Sequence, residues 1–76
     1  MTVRTMLLYY SYIGKVLIVS SNKFNNEYEI TDNLKNDAFF YGENYTTRSE
    51  LYKYVLDMEV ISFYCDDTTL VIVTRN

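Results

Sequence analysis

No histidine, proline or tryptophan occurs in this chain, and it holds one cysteine and two glycines. Each shortage removes a class of chemistry. Without histidine, the commonest general base and the commonest nitrogen ligand for a metal are both missing. Gly14 and Gly42 cannot by themselves build a phosphate-cradling loop, and neither belongs to such a motif. Cys65 has no second cysteine to pair with, so a disulfide framework is excluded and a reducing cytoplasm suits the chain. Its neighbours Tyr64 and Asp66 supply no positive charge for a thiolate, so it reads as a small packed residue. Asp66 and Asp67, with Glu59 across a turn, come nearest to a cation site. Adjacent aspartates are more often a polar turn than part of the several-oxygen shell a divalent ion needs. The chain reads as non-enzymatic, with no catalytic residues, metal or cofactor.

Long apolar runs are also missing. The stretch from Met6 to Ser20 is broken by Ser11, Gly14 and Lys15, and is too short to span a bilayer. Arg4 before an apolar run resembles a signal peptide, yet no small-residue cleavage site follows. The expectation is a soluble cytoplasmic protein without membrane association.

What is present is narrow in kind. Phe, Tyr, Met, Ile, Asn and Lys supply 32 of the 76 residues, nine of them tyrosine. All six have AT-rich codons, which points to an AT-rich genome: a low-GC bacterium, one of its phages, or a large DNA virus. A chain of 76 residues makes one domain, residues 1–76. A domain that small buries only about 60% of its unfolded surface, so self-association is one route to extra burial.

The firmest local signal lies at residues 47–58. Thr47 and Glu50 have the spacing of a capping box, and Glu50 puts negative charge in the first turn. At 100° per residue Leu51, Tyr54, Val55 and Met58 form one stripe, with Ser49, Lys53 and Asp57 opposite. Tyr52 and Leu56 sit on the shoulder, either filling a groove of the sheet or facing a second chain.

Before this helix, Val3 to Tyr12 alternates, with Met6, Leu8, Tyr10 and Tyr12 on one side. Together with Val16–Ser20 across Gly14-Lys15 it reads as a hairpin. A helix from Thr5 to Ile13, closed by Gly14, is the competing assignment. Glu27 to Thr31 alternates as a half-exposed strand. Residues 33–41 fit either a strand or a short helix capped by Asp32, with Leu34, Ala38 and Tyr41 as its stripe and Gly42 as its stop.

After the main helix, Glu59–Cys65 reads as a strand with Ile61, Phe63 and Cys65 on one face. Asp66-Asp67 turns the chain into Leu70-Val71-Ile72-Val73, apolar on both faces and so placed, with its hairpin partner, at the centre of the sheet. The fold expected is α+β: an antiparallel sheet of about five strands with one main helix, residues 47–58, packed on one face. The element order expected is β-β-β-(β or short helix)-α-β-β.

Charge is uneven. Residues 1–23 carry three bases and no acid, whereas residues 24–67 hold all ten acids against three bases. An acidic centre disfavours nucleic acid and favours a basic partner surface, with Glu27, Glu29, Asp32, Asp37 and Glu43 as the candidate contacts. Solvated strands and loops carry such charges for solubility alone, and the net charge of −3 is ordinary for a small domain. Nine tyrosines exceed what so small a core can satisfy, so several belong at the surface, where they favour interfaces.

The leading expectation is a small protein-binding module that occludes a site on a host or cognate protein. A phage or mobile-element inhibitor of a host defence or nucleic-acid-processing protein, acting in the host cytoplasm, fits the size and acidity. Tyr52 and Leu56 are its candidate dimer or partner surface. Two alternatives remain. One is a weak nucleic-acid-binding accessory protein using Arg4, Tyr9, Tyr10, Tyr12 and Lys15, where bases can stack on tyrosine but so few cations give only salt-sensitive binding. The other is a self-associating structural subunit.

Overall fold

The computed structural model describes residues 1–10, 14–24, 30–42 and 54–75, with the side chains of Tyr9 and Tyr10 outside that set. In chain order it contains α1 (Val3–Tyr10), β1 (Lys15–Ser20), α2 (Asp32–Asp37), β2 (Phe40–Gly42), helical residues 54–56, β3 (Val60–Asp66) and β4 (Thr69–Thr74). The class is α+β. Among the described residues the sheet is four-stranded and mixed, ordered β2-β1-β4-β3. The mixed pairing corrects the expectation of an antiparallel sheet of about five strands, of which the strand read over Glu27–Thr31 lies outside the described residues at 27–29.

The two most β-branched runs form its centre. β1 and β4 pair in parallel from Lys15↔Thr69 to Ser20↔Thr74, and β2 and β3 flank them antiparallel. A parallel neighbour needs a long crossover, and here the chain between residues 20 and 69 provides it. Strands covered on both faces read as unbroken apolar runs, as Val16–Val19 and Leu70–Val73 do.

Alternation along β1 and β4 divides the interior into two cores. Val16, Ile18, Leu70 and Ile72 face Val3, Met6, Leu7, Val55, Leu56 and Met58. Leu17, Val19, Val71 and Val73 face Leu34, with Phe24, Ile30, Ala38 and Tyr64 packed at the margin. Both faces of the sheet are therefore covered, rather than one.

The N-terminal segment is helical, which corrects the hairpin expected over residues 3–20. Thr2 caps it: its hydroxyl accepts from the amide of Thr5 at 3.2 Å, and its carbonyl accepts from Met6 at 3.1 Å. Val3, Met6 and Leu7 share one face at helical spacing and are buried, which leaves Leu8 and Arg4 outside. The competing helix was nearer, although it begins two residues too late.

At residues 32–42 each reading holds in part: a helix that ends at Asp37, before Ala38 and Tyr41 of the expected stripe, and then a strand at Phe40–Gly42. The helix cap is Thr31 rather than Asp32, and its hydroxyl accepts from Leu34 at 3.1 Å. Asp32 lies in the first turn, where the helix dipole favours it.

Of the main helix expected at 47–58, residues 54–56 are helical, and Met58 donates back to the Val55 carbonyl at 3.0 Å. Thr47, Glu50 and Leu51 lie outside the described residues. Val55, Leu56 and Met58 are buried as a group, but Tyr54 is 69% exposed and not part of the stripe. An aliphatic Leu56 fills the core without a hydroxyl to satisfy, so the helix turns Tyr54 outward.

Candidate partner-binding surface

β3 departs most from its sequence pattern. β4 is interior as expected, but β3 ends the described sheet, so the hairpin is not central as a whole. Its pairing with β4 shifts register between Val60↔Thr74 and Ser62↔Val73, leaving Ile61 as an extra residue. Such a bulge bends an edge strand and re-aims its side chains. Ile61 is 44% and Phe63 46% exposed, and Cys65 is also exposed, so the three residues read from the sequence as one face are all open to solvent.

The N-terminus completes this surface. The Val60 amide donates to the Met1 carbonyl at 2.8 Å, the Val3 amide to the Met58 carbonyl at 3.0 Å, and Thr2 bridges Glu59 antiparallel. These contacts place Met1, 59% exposed, beside the strand. Met1, Val60, Ile61, Ser62 and Phe63 line a shallow groove of about 380 Å³.

The two ends of β3 differ electrostatically. At its start Arg75 grips Glu59 with Nε to Oε2 at 2.8 Å and Nη2 to Oε1 at 3.4 Å. That hydrogen bond, reinforced by the guanidinium charge, lowers the Glu59 pKa from its ordinary value. Arg4 likewise donates to Asp57 at 3.2 Å. A second cleft, of about 420 Å³, runs between Tyr54, Asp57, Met58, Glu59 and Arg75. At the far end Asp66 accepts from the Ile30 amide at 3.1 Å, and Asp67 makes the turn with φ 55°. Among the described residues, neither Asp66 nor Asp67 meets a cation at ion-pair distance.

The sites expected from sequence fall elsewhere. Leu56 is 5% exposed inside the first core, so it offers no partner surface, and Tyr52 lies outside the described residues. Glu27, Glu29 and Glu43 are outside as well. Asp32 and Asp37 are exposed at the two ends of α2, and Lys35 comes within 3.9 Å of Asp32.

Arg4 and Lys15 do not converge as a basic patch. Lys15 begins β1 opposite Thr69, whereas Arg4 reaches Asp57 near the end where Arg75 follows β4. A six-residue strand separates those ends by about 17 Å. Lys15 and Lys35 instead lie over the Tyr41 ring, at 5.9 and 5.1 Å from its centroid. The Tyr9 and Tyr10 side chains and all of Tyr12 are outside the described residues.

Among the described residues no three His, Cys, Asp or Glu gather as a metal site, and no helix is long and apolar enough to cross a membrane. Comparison with protein-family models, curated proteins and solved structures finds no match to this chain.

Proposed function

We propose that this chain is a non-catalytic protein-binding module whose partner docks on β3. The observation that carries the reading is the exposure of Ile61 and Phe63 beside Met1 along one groove. Most of the other described apolar side chains divide between two buried cores, while Leu8, Tyr41 and Tyr54 are exposed away from this groove. A contiguous apolar patch rimmed by polar groups is the usual mark of a protein interface on a small domain. An occluding antagonist, of a phage or mobile element acting on a host protein, is the specific form suggested by small size and acidity.

The nucleic-acid reading is weaker, because its two described cations stand at opposite ends of the sheet and one of them is paired. Site-specific photocrosslinking tests the leading reading. A photoreactive residue at Ser62, inside the groove, should give a discrete protein adduct in the native cell, whereas the same residue at Asn36 on exposed α2 should not. Equal labelling from both positions, or none from Ser62, rejects it.

A further inference from the structure

The charges around β3 specify what kind of partner the groove fits, a step that rests on the reading of β3 as the docking surface. Residues 57–67 contain four acids, Asp57, Glu59, Asp66 and Asp67, and no base. Two of the acids are answered within the chain, Asp57 by Arg4 and Glu59 by Arg75. The apolar groove lies at this neutralised end. Asp66 and Asp67 remain without a cationic partner among the described residues. The hairpin thus presents an apolar half and an anionic half in a fixed order. From Phe63 to Asp67 is four residues, or about 13 Å of strand.

We infer that the occupant is a segment of another protein that carries aliphatic side chains at one end and lysine or arginine at the other. Its aliphatic groups enter the groove between Met1, Ile61 and Phe63, and its cations reach the turn at Asp67 about 13 Å away, with Asp66 adding its charge from the opposite face beside Ile30. Charge complementarity of this kind fixes the direction in which the segment lies and speeds its capture. A second copy fits poorly: it brings the same base-free strand and a net charge of −3. Met1 and Thr2 already lie beside Val60 and Glu59, so symmetric pairing of β3 over its whole length is blocked at that end.

Peptides of about a dozen residues test this, each long enough to span groove and turn when extended. All carry the same isoleucine-rich half; the other half is lysine-rich, glutamate-rich or serine-rich. Binding is followed by amide chemical shifts of the full chain. The expected result is that the lysine peptide binds at least about fivefold tighter than the serine peptide, with the glutamate peptide weakest. Its shifts should fall on residues 60–67, and its advantage should fade at about 1 M salt, where the screening length drops to about 3 Å. The double variant Asp66→Asn/Asp67→Asn should remove the lysine advantage. Its amides keep an acceptor for Ile30 and tolerate the left-handed turn, so the hairpin survives.

Equal affinity for the three peptides, with shifts still on residues 60–67, overturns the charge inference and leaves the docking surface standing. Shifts located elsewhere, or no binding by any peptide, overturn both. Concentration-dependent shifts of residues 60–67 without peptide overturn the inference in favour of a second copy.

Discussion

Ile18 lies opposite Ile72 in the parallel register that joins β1 to β4, and both are fully buried against the face covered by α1. One residue further along, Val19 lies opposite Val73 and enters the other core. The same two strands therefore anchor both halves of the interior.

Truncation on either side should be costly. Ile72→Ala should destabilise by about 2–5 kcal/mol and Leu17→Ala by a similar amount, since each leaves a cavity in a packed core. Urea unfolding measures both. A loss below about 0.5 kcal/mol for Leu17→Ala would show that the α2 face is not a true core.

The two threonine caps make a matched pair. Thr2→Ala and Thr31→Ala should each cost about 1 kcal/mol, because each hydroxyl accepts from the amide of the third helical residue, which is otherwise left to solvent. The loss from Thr2→Ala should show in the amide exchange of Thr5 and Met6.

Much of this architecture was legible and some was not. The runs 16–19 and 70–73 declared themselves as strands, and the second as one covered on both faces. Nothing in either run says that they pair with each other in parallel, because that pairing spans about fifty residues of chain. Met6 belongs equally to an alternating pattern with Leu8 and to a helical one with Val3 and Leu7, and periodicity over eight residues does not separate them. The Thr2 cap was the readable signal that settles it. For β3, alternation placed Ile61, Phe63 and Cys65 on one face, and nothing in that pattern says that the strand ends the described sheet or that Ile61 is an extra residue in its pairing. The acids that bracket the strand, Glu59 and Asp66, were the hint of an edge.

Asp67 occupies a left-handed conformation in the β3–β4 turn. Asp67→Val should destabilise by about 1–2 kcal/mol, while Asp67→Gly should be neutral or slightly stabilising, because glycine adopts the left-handed region freely, aspartate tolerates it and a β-branched residue does not. The difference between the two thermal midpoints is the readout.

Glu59 gives a pH signature. Its pKa is lowered in the folded state by Arg75, so the pair contributes above the ordinary value of 4.5 and its contribution fades as pH falls through the folded pKa. In Arg75→Gln the Glu59 midpoint, followed by carboxyl NMR, should rise toward that ordinary value. Both side chains are exposed, so global stability near neutral pH should change little.

The central claim is that β3 serves a partner rather than the fold, and one comparison addresses it most directly. The tagged chain is recovered from its native cell as wild type and as Ile61→Ser/Phe63→Ser, with the urea midpoint of each protein measured alongside. The account predicts a protein that co-purifies with wild type and falls by about tenfold or more with the variant, a loss of about 1.4 kcal/mol or more, while the urea midpoints agree. Undiminished recovery with the variant, or a variant that binds less only because it unfolds, would contradict it.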